Sequence, residues 1–172
     1  MRPSYSLYSW FIDGISSESA VYSLDKILRK HGATLNQDCV LLLNDDDGDA
    51  PASDYIDDPE LALAQLVAWP SHGSIEYDLG DVFLVTTFHS EEGSPVGRIH
   101  CIRLSMPSDW FDDHRPISEQ RLGSIAGDLH STMMANRTVM GWSGPAPRVY
   151  WSDELQRLRT GIVEGEYDVD LR

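Results

Sequence analysis

The densest group of side chains able to do chemistry is an acidic segment at residues 44–57. Its first six residues read Asn-Asp-Asp-Asp-Gly-Asp. Hard cations bind to several oxygens that a tight, glycine-containing loop supplies. If Gly48 held the sixth position of an EF-hand loop, the loop would need an acid at position 43 and a glutamate at position 54, where Leu43 and Asp54 stand. The segment does not fit a calcium loop, and we predict an exposed acidic loop there.

Other catalytic signatures are incomplete. The six histidines form neither a His-Glu-x-x-His pair nor a knuckle with paired cysteines, which are the strong zinc patterns. A Gly-Trp-Ser-Gly run at 141–144 resembles a nucleophile elbow, but Pro145 stands where that turn needs glycine. Cys39 and Cys101 are expected to be buried thiols, and a pairing of either with a histidine stays open. We predict no catalytic residue, no metal and no cofactor, with a small cytoplasmic metal-dependent hydrolase that uses the acidic loop as the alternative.

Charge is distributed unevenly along the chain. The 172 residues carry 13 Lys and Arg against 28 Asp and Glu, a net charge of −15. Residues 31–97 contain no Lys or Arg and 14 acids, whereas residues 1–30 carry four cations against three acids and residues 98–172 carry nine against eleven. Such a field repels nucleic acid, whose binding depends on Lys and Arg, and it attracts basic proteins. We therefore predict a basic protein partner and no nucleic acid, although acidity that serves only solubility is an equal alternative.

Aromatic side chains stand among these carboxylates. Tyr55 lies in the acidic loop, and Trp110-Phe111 is flanked by aspartates on both sides. Tyr and Trp dominate the energetics of protein interfaces, and charged residues form the rim around them. The predicted contacts with the partner are Asp45, Asp46, Asp47, Asp49, Asp54, Tyr55, Asp57, Asp58, Trp110, Asp112 and Asp113.

The elements that position these residues begin with a strand. Tyr5–Ile12 is rich in aromatic and β-branched residues, and the turn pair Asp13–Gly14 is expected to end it. Ser16 or Ser17 can then cap a helix that begins near Glu18. The chain therefore opens with a strand followed by an amphipathic helix. A second helix start is predicted at Asp58-Pro59, with Asp58 as the cap.

The middle of the chain is predicted to form three consecutive strands of a sheet. Alternating residues over Ser74–Phe88 indicate a hairpin, and Ile99–Leu104 adds a third sequential strand. Ser118 is expected to cap a longer helix, and Gly141–Pro145 to break the chain. We predict one α+β domain over residues 1–172, with a mostly antiparallel sheet of about five or six strands and two main helices packed on one face.

Composition excludes several classes of protein. The chain is 41% hydrophobic and holds five Trp, which is too apolar for a disordered protein. Its longest aliphatic run, Val40–Leu43, is far shorter than a membrane-spanning helix requires. The first residues lack the apolar stretch of a signal peptide, so we expect a cytoplasmic protein.

In size, acidity, α+β composition and absence of catalytic signatures, the chain resembles bacterial immunity proteins that neutralise toxins delivered to rival cells. This resemblance covers the whole chain and matches no individual position, so it assigns no site residue. It implies a non-enzymatic inhibitor. Many such toxins are nucleases with cationic clefts, which an acidic inhibitor would complement.

Overall fold

The computed structural model describes residues 4–43, 58–68, 72–80, 83–95, 97–113, 115–143, 151–161 and 167–172. Within them the strands are β1 (Ser4–Ser16), β2 (Thr34–Leu43), β3 (His72–Asp78), β4 (Phe83–His89), β5 (Arg98–Pro107), β6 (Arg137–Ser143) and β7 (Val169–Leu171). The helices are α1 (Ser17–Lys30), α2 (Pro59–Ala68), α3 (Ser108–Asp113), α4 (Arg115–Met133) and α5 (Trp151–Arg159). No helix in these ranges is long and apolar enough to cross a membrane.

All seven strands form one antiparallel sheet in the order β2-β3-β4-β5-β1-β6-β7. The predicted α+β class is confirmed, although the sheet has more strands than expected. The missed strand is β6. Gly141 indicated a break in the chain, but it lies inside β6, opposite Ser6 of β1, because pairing with a buried central strand outweighs the weak strand preference of glycine.

The strand β1 is buried on both faces. Tyr5 and Leu7 face the larger core cluster, which we call the inner face of the sheet. Tyr8 and Trp10 face a second, smaller cluster on the outer face. Because successive side chains of a strand point to opposite faces, the aromatic run supplies both cores at once. This run was predicted as a strand.

Helices α1 and α4 cover the inner face and contact each other. The Ser16 side chain caps α1 by accepting a hydrogen bond from the Ser19 N–H at 3.1 Å, as the sequence predicts. Leu122, Ile125 and Leu129 form an apolar stripe on α4 and are buried. The expectation of two main helices on one face is therefore confirmed for α1 and α4.

The outer face carries a helix that the sequence did not place there. Leu155 of α5 packs in the outer cluster with Trp10 and Cys101. The Trp10 Nε1–H also donates a 2.9 Å hydrogen bond to the backbone oxygen of Trp151, the first residue of α5. Helices thus cover both faces of β1, whereas the prediction placed two main helices on one face and assigned no face to α5.

Two predicted boundaries were wrong. Asp13–Gly14 does not end β1, which continues to Ser16 with a shifted register between Trp10 and Ile15. Gly14 has a φ of +71°, which favours glycine at this irregularity. The long helix begins at Arg115 rather than after Ser118, because the chain stays helical through Pro116, which is tolerated in a first helical turn.

A buried ion network attaches β7 and α5 to β6. The guanidinium of Arg137 is fully buried and donates to both carboxylate oxygens of Asp170, at 3.0 and 3.1 Å. Glu154 of α5 lies 3.7 Å from the same guanidinium. The hydrogen bond from Arg137, with a second from Arg172, lowers the pKa of Asp170 against the opposing effect of burial. A bidentate pair of this kind fixes geometry as well as charge.

Replacing Arg137 with methionine tests this network. The change leaves the carboxylates of Asp170 and Glu154 without their shared buried cation, so we expect the free energy of unfolding to fall by about 3–5 kcal/mol in urea denaturation. Arg172→Met removes an exposed cation from the same Asp170 and should cost less than about 1 kcal/mol. Equal losses in the two variants would contradict the structural role of Arg137.

Candidate functional site

The strands from the part of the sequence without Lys or Arg lie side by side in the fold. Residues 31–97 form β2, α2, β3 and β4, and the three strands are adjacent at one side of the sheet. We call this part of the protein the cation-free half, because all 13 Lys and Arg lie outside it in sequence. A field of one sign on one side of a protein steers an oppositely charged partner toward that side.

Most of the predicted partner contacts lie outside the described residues, namely Asp45, Asp46, Asp47, Asp49, Asp54, Tyr55 and Asp57. Asp58 is described, and it caps α2: its Oδ1 accepts hydrogen bonds from the N–H groups of Glu60 and Leu61, at 3.0 and 3.4 Å. This role matches the helix start predicted at Asp58-Pro59. One of its carboxylate oxygens is therefore engaged within the fold.

The second group of predicted contacts lies on α3. Asp113 is exposed there, and the backbone of Trp110 and Asp112 belongs to the same helix. Phe111 between them is fully buried and stacks on Tyr5 with ring centroids 3.8 Å apart. Phe111 of the Trp110-Phe111 pair is thus a core residue, and it anchors α3 to β1.

The two predicted contact regions are positioned by different elements. We call the end of the sheet at the connection between β3 and β4 the turn end. There Asp78 pairs with Phe83 in neighbouring strands, and α3 leaves β5 at this same end, where Pro107 pairs with Ser4. The acidic segment follows Leu43, which pairs with His72 at the opposite end. The fold therefore separates the start of the acidic segment from α3 by the length of the sheet.

Helix α2 begins toward the turn end. The Ser17 hydroxyl at the start of α1 donates to the backbone oxygen of Val67 at the end of α2, at 2.7 Å. The charge of Glu60, in the first turn of α2, contributes to raising the pKa of Arg29 near the end of α1, after the larger contribution of Asp25. These contacts make α2 antiparallel to α1, so Asp58 lies toward the turn end.

An exposed apolar surface lies at the turn end of the outer face. On β4, Leu84 is buried on the inner face, whereas Phe83 and Val85 are 48% and 38% exposed on the outer face. Phe83 pairs with Asp78 and Val85 with Glu76 on the neighbouring strand β3. We call Glu76, Asp78, Phe83 and Val85 the outer patch. It places two apolar side chains directly beside two carboxylates.

Both carboxylates of the outer patch accept hydrogen bonds from neighbouring groups of the protein. Asp78 accepts a 2.7 Å hydrogen bond from the backbone N–H of Gly80 in the following turn. Glu76 accepts from the Asn36 amide of β2 at 3.4 Å. The next row of the face holds Arg103, which contacts the hydroxyls of Ser4 and Ser6 and lies over the Tyr8 ring. That guanidinium therefore contacts β1.

Sequence reasoning missed the outer patch. The alternating pattern of β4 was available and predicted a strand, but it assigns residues to two faces without showing which face is covered. The outer face is covered by α5 at Tyr8 and Trp10, whereas Phe83 and Val85 stay partly exposed. Which strands α5 covers depends on the order of the strands in the sheet, which the alternating pattern does not give.

The two lysines of the chain line a different surface. A groove of about 430 Å³ between α1 and α4 is bordered by Lys26 and Lys30, with Ile27 and Thr132 among its other lining residues. Asp128 on the opposite wall accepts hydrogen bonds from His31 and Lys30, which lower the pKa of its carboxyl. The Lys30 ammonium of α1 is thus held against α4.

The Cys101 thiol is unsuited to nucleophilic catalysis. Cys101 is fully buried in the outer cluster, and burial raises the pKa of its thiol well above the usual value. A thiolate is the reactive form, so this environment disfavours reaction. Among the described residues, no group of three or more His, Cys, Asp or Glu side chains is arranged to hold a metal ion.

A buried histidine joins the loop after β4 to β5 and α5. His100 is 4% exposed, and its Nδ1 accepts a hydrogen bond from the backbone N–H of Glu91 at 3.2 Å. The Glu91 carboxylate lies 3.7 Å from His100 Nε2 and accepts hydrogen bonds from Arg159 and Gln156 of α5. Burial lowers the pKa of His100, with Arg159 and Arg98 acting in the same direction and Glu91 opposing them. The folded protein therefore holds this imidazole neutral.

No protein-family model matches the sequence, and no curated protein is similar to it. Among solved structures, the fold has a similarity to the Pseudomonas aeruginosa T6SS protein PA0821, with 12% sequence identity and a TM-score of 0.42. The alignment covers 82% of this chain and 40% of that one, so this chain spans less than half of its neighbour. A similarity of this size assigns no function.

The neutral His100 predicts a loss of stability in mild acid. The unfolded chain takes up the proton near pH 6.5, whereas the folded protein takes it up only at lower pH. The stabilisation is therefore complete above pH 6.5 and is lost as the pH falls through the lower folded-state pKa. His100→Asn offers an acceptor for the Glu91 N–H without titrating, so urea denaturation between about pH 7.5 and 5 should show a smaller loss for the variant. Identical losses would exclude His100 as the titrating group.

Proposed function

We propose that this protein is a non-enzymatic binding protein of the bacterial cytoplasm that inhibits a basic protein partner, as immunity proteins do for toxins. The observation that carries this proposal is the cation-free half. Residues 31–97 hold fourteen carboxylates and no Lys or Arg, and the strands of this range, β2, β3 and β4, are adjacent on one side of the sheet. A partner with a cationic cleft, such as a nuclease, is the class of protein that this charge complements.

Electrostatics and contact make different contributions to such a complex. The long-range field raises the association rate, and this contribution weakens as salt shortens the Debye length. The lifetime of the complex depends on buried aromatic residues and on carboxylates that pair with the partner's cations. The acidic segment and α3 are the proposed contacts, and inhibition can follow from plugging an active site or from covering a neighbouring surface.

Affinity capture from the native lysate tests this function. A tagged protein should retain one basic protein at low salt and lose most of it at high salt. The variant with Asp45, Asp46, Asp47 and Asp49 changed to Asn should bind the purified partner at least about tenfold more weakly, because several charge pairs are removed. Binding is measured by titration calorimetry at a fixed ionic strength.

A matched variant separates local from overall charge. Asp13→Asn, Glu18→Gln, Glu119→Gln and Asp153→Asn also remove four charges, but outside residues 31–97, and should leave the affinity within about twofold. Equal weakening in both variants would show that only net charge matters. Absence of any partner at either salt concentration would contradict the inhibitor function. Tight stoichiometric binding of a divalent cation, lost on Asp45→Asn with Asp47→Asn, would favour the hydrolase instead.

A further inference from the structure

We propose that the outer patch is a docking surface for an extended segment of the partner that contains both cationic and apolar residues. This inference rests on the proposed function and adds a location that the sequence did not predict. The patch combines Phe83 and Val85, exposed on β4, with the carboxylates of Glu76 and Asp78 on β3. Apolar anchors with a charged rim are the usual arrangement of a protein-binding surface.

The geometry of the patch favours an extended occupant. Phe83 and Val85 are two residues apart on one strand, so their side chains stand about 6.6 Å apart on the same face. An extended chain also repeats its side chains on one face every two residues, and apolar residues in it can follow the two anchors in register. Long arginine side chains beside them can reach the carboxylates of Glu76 and Asp78, which border the anchors on β3.

Charge selects the class of occupant. The patch belongs to the cation-free half. Two arginines from outside that half lie near it and are held within the fold: Arg103 contacts Ser4 and Ser6 of β1, and Arg121 of α4 donates to the backbone oxygens of Leu79 and His31. A second copy of this chain, with a net charge of −15, would bring like charges together at the patch, and an anionic surface would be repelled in the same way. A basic segment is the occupant that gains from both the apolar anchors and the carboxylates.

Two peptides of equal charge test the patch without knowledge of the partner. One alternates arginine with leucine over seven residues, and the other replaces each leucine with serine; both have blocked ends. We expect the leucine peptide to bind about tenfold more tightly at low salt, since its apolar side chains are buried against Phe83 and Val85. Backbone amide shifts in an NMR titration should change most in β3 and β4.

Variants of the protein identify the anchors. Phe83→Thr combined with Val85→Thr keeps β-forming residues and should abolish the difference between the peptides. Leu61→Gln is the matched control, because Leu61 is 49% exposed in the same half of the molecule but on α2, and it should preserve the difference. Glu76→Gln with Asp78→Asn should weaken both peptides alike, while the asparagine still accepts from Gly80.

The outcomes separate this inference from the proposed function. Equal affinities for the two peptides, or an equal loss in the Leu61 control, would overturn the outer patch as a docking surface and leave lysate capture of a basic partner unaffected. Self-association of the unmodified protein that Phe83→Thr abolishes would assign the patch to a second copy and also overturn the inference. Failure of the capture experiment alone would count against the proposed function.

Discussion

Burial of both faces of β1 is the constraint on which the rest of the structure depends. β1 lies between β5 and β6, with α1 and α4 on its inner face and α5 on its outer face. On the outer face α5 is held near β1 by Trp10 and by the network around Arg137, so the β3–β4 part of that face stays exposed at Phe83 and Val85. The exposed surface is thus a consequence of how the centre is covered.

The same arrangement explains why charge is segregated. The strands that lack cations are adjacent at one side of the sheet. The basic residues near them come from other elements: Lys30 pairs with Asp128, Arg103 contacts β1, and Arg121 of α4 donates to the backbone oxygens of Leu79 and His31. The strands of residues 31–97 therefore contribute carboxylates and no cation of their own to this side of the sheet.

Local signals in the sequence predicted the elements well where one residue type decides the conformation. The Ser16 cap, the Asp58 cap and the aromatic strand at Tyr5 follow from side-chain chemistry and alternation, and the structure confirms each of them. The errors came from long-range effects. β6 contains a glycine that only pairing with β1 accommodates, and the position of α5 depends on Trp10, which is more than a hundred residues away in sequence. The outer patch was missed for the same reason, since alternation alone does not show which face is covered.

Carboxylate footprinting of the complex with the captured partner shows which acids of this protein are covered by that partner. Labelling of Asp and Glu with a carbodiimide and an amine reads every exposed acid in one experiment, in the free protein and in the complex. We expect the partner to protect Glu76, Asp78 and the acids of 44–58 from labelling. The exposed Glu18 on α1 and Asp153 on α5 should be labelled equally in the free protein and in the complex. Protection of Glu18 and Asp153 with continued labelling of residues 44–78 would contradict this expectation.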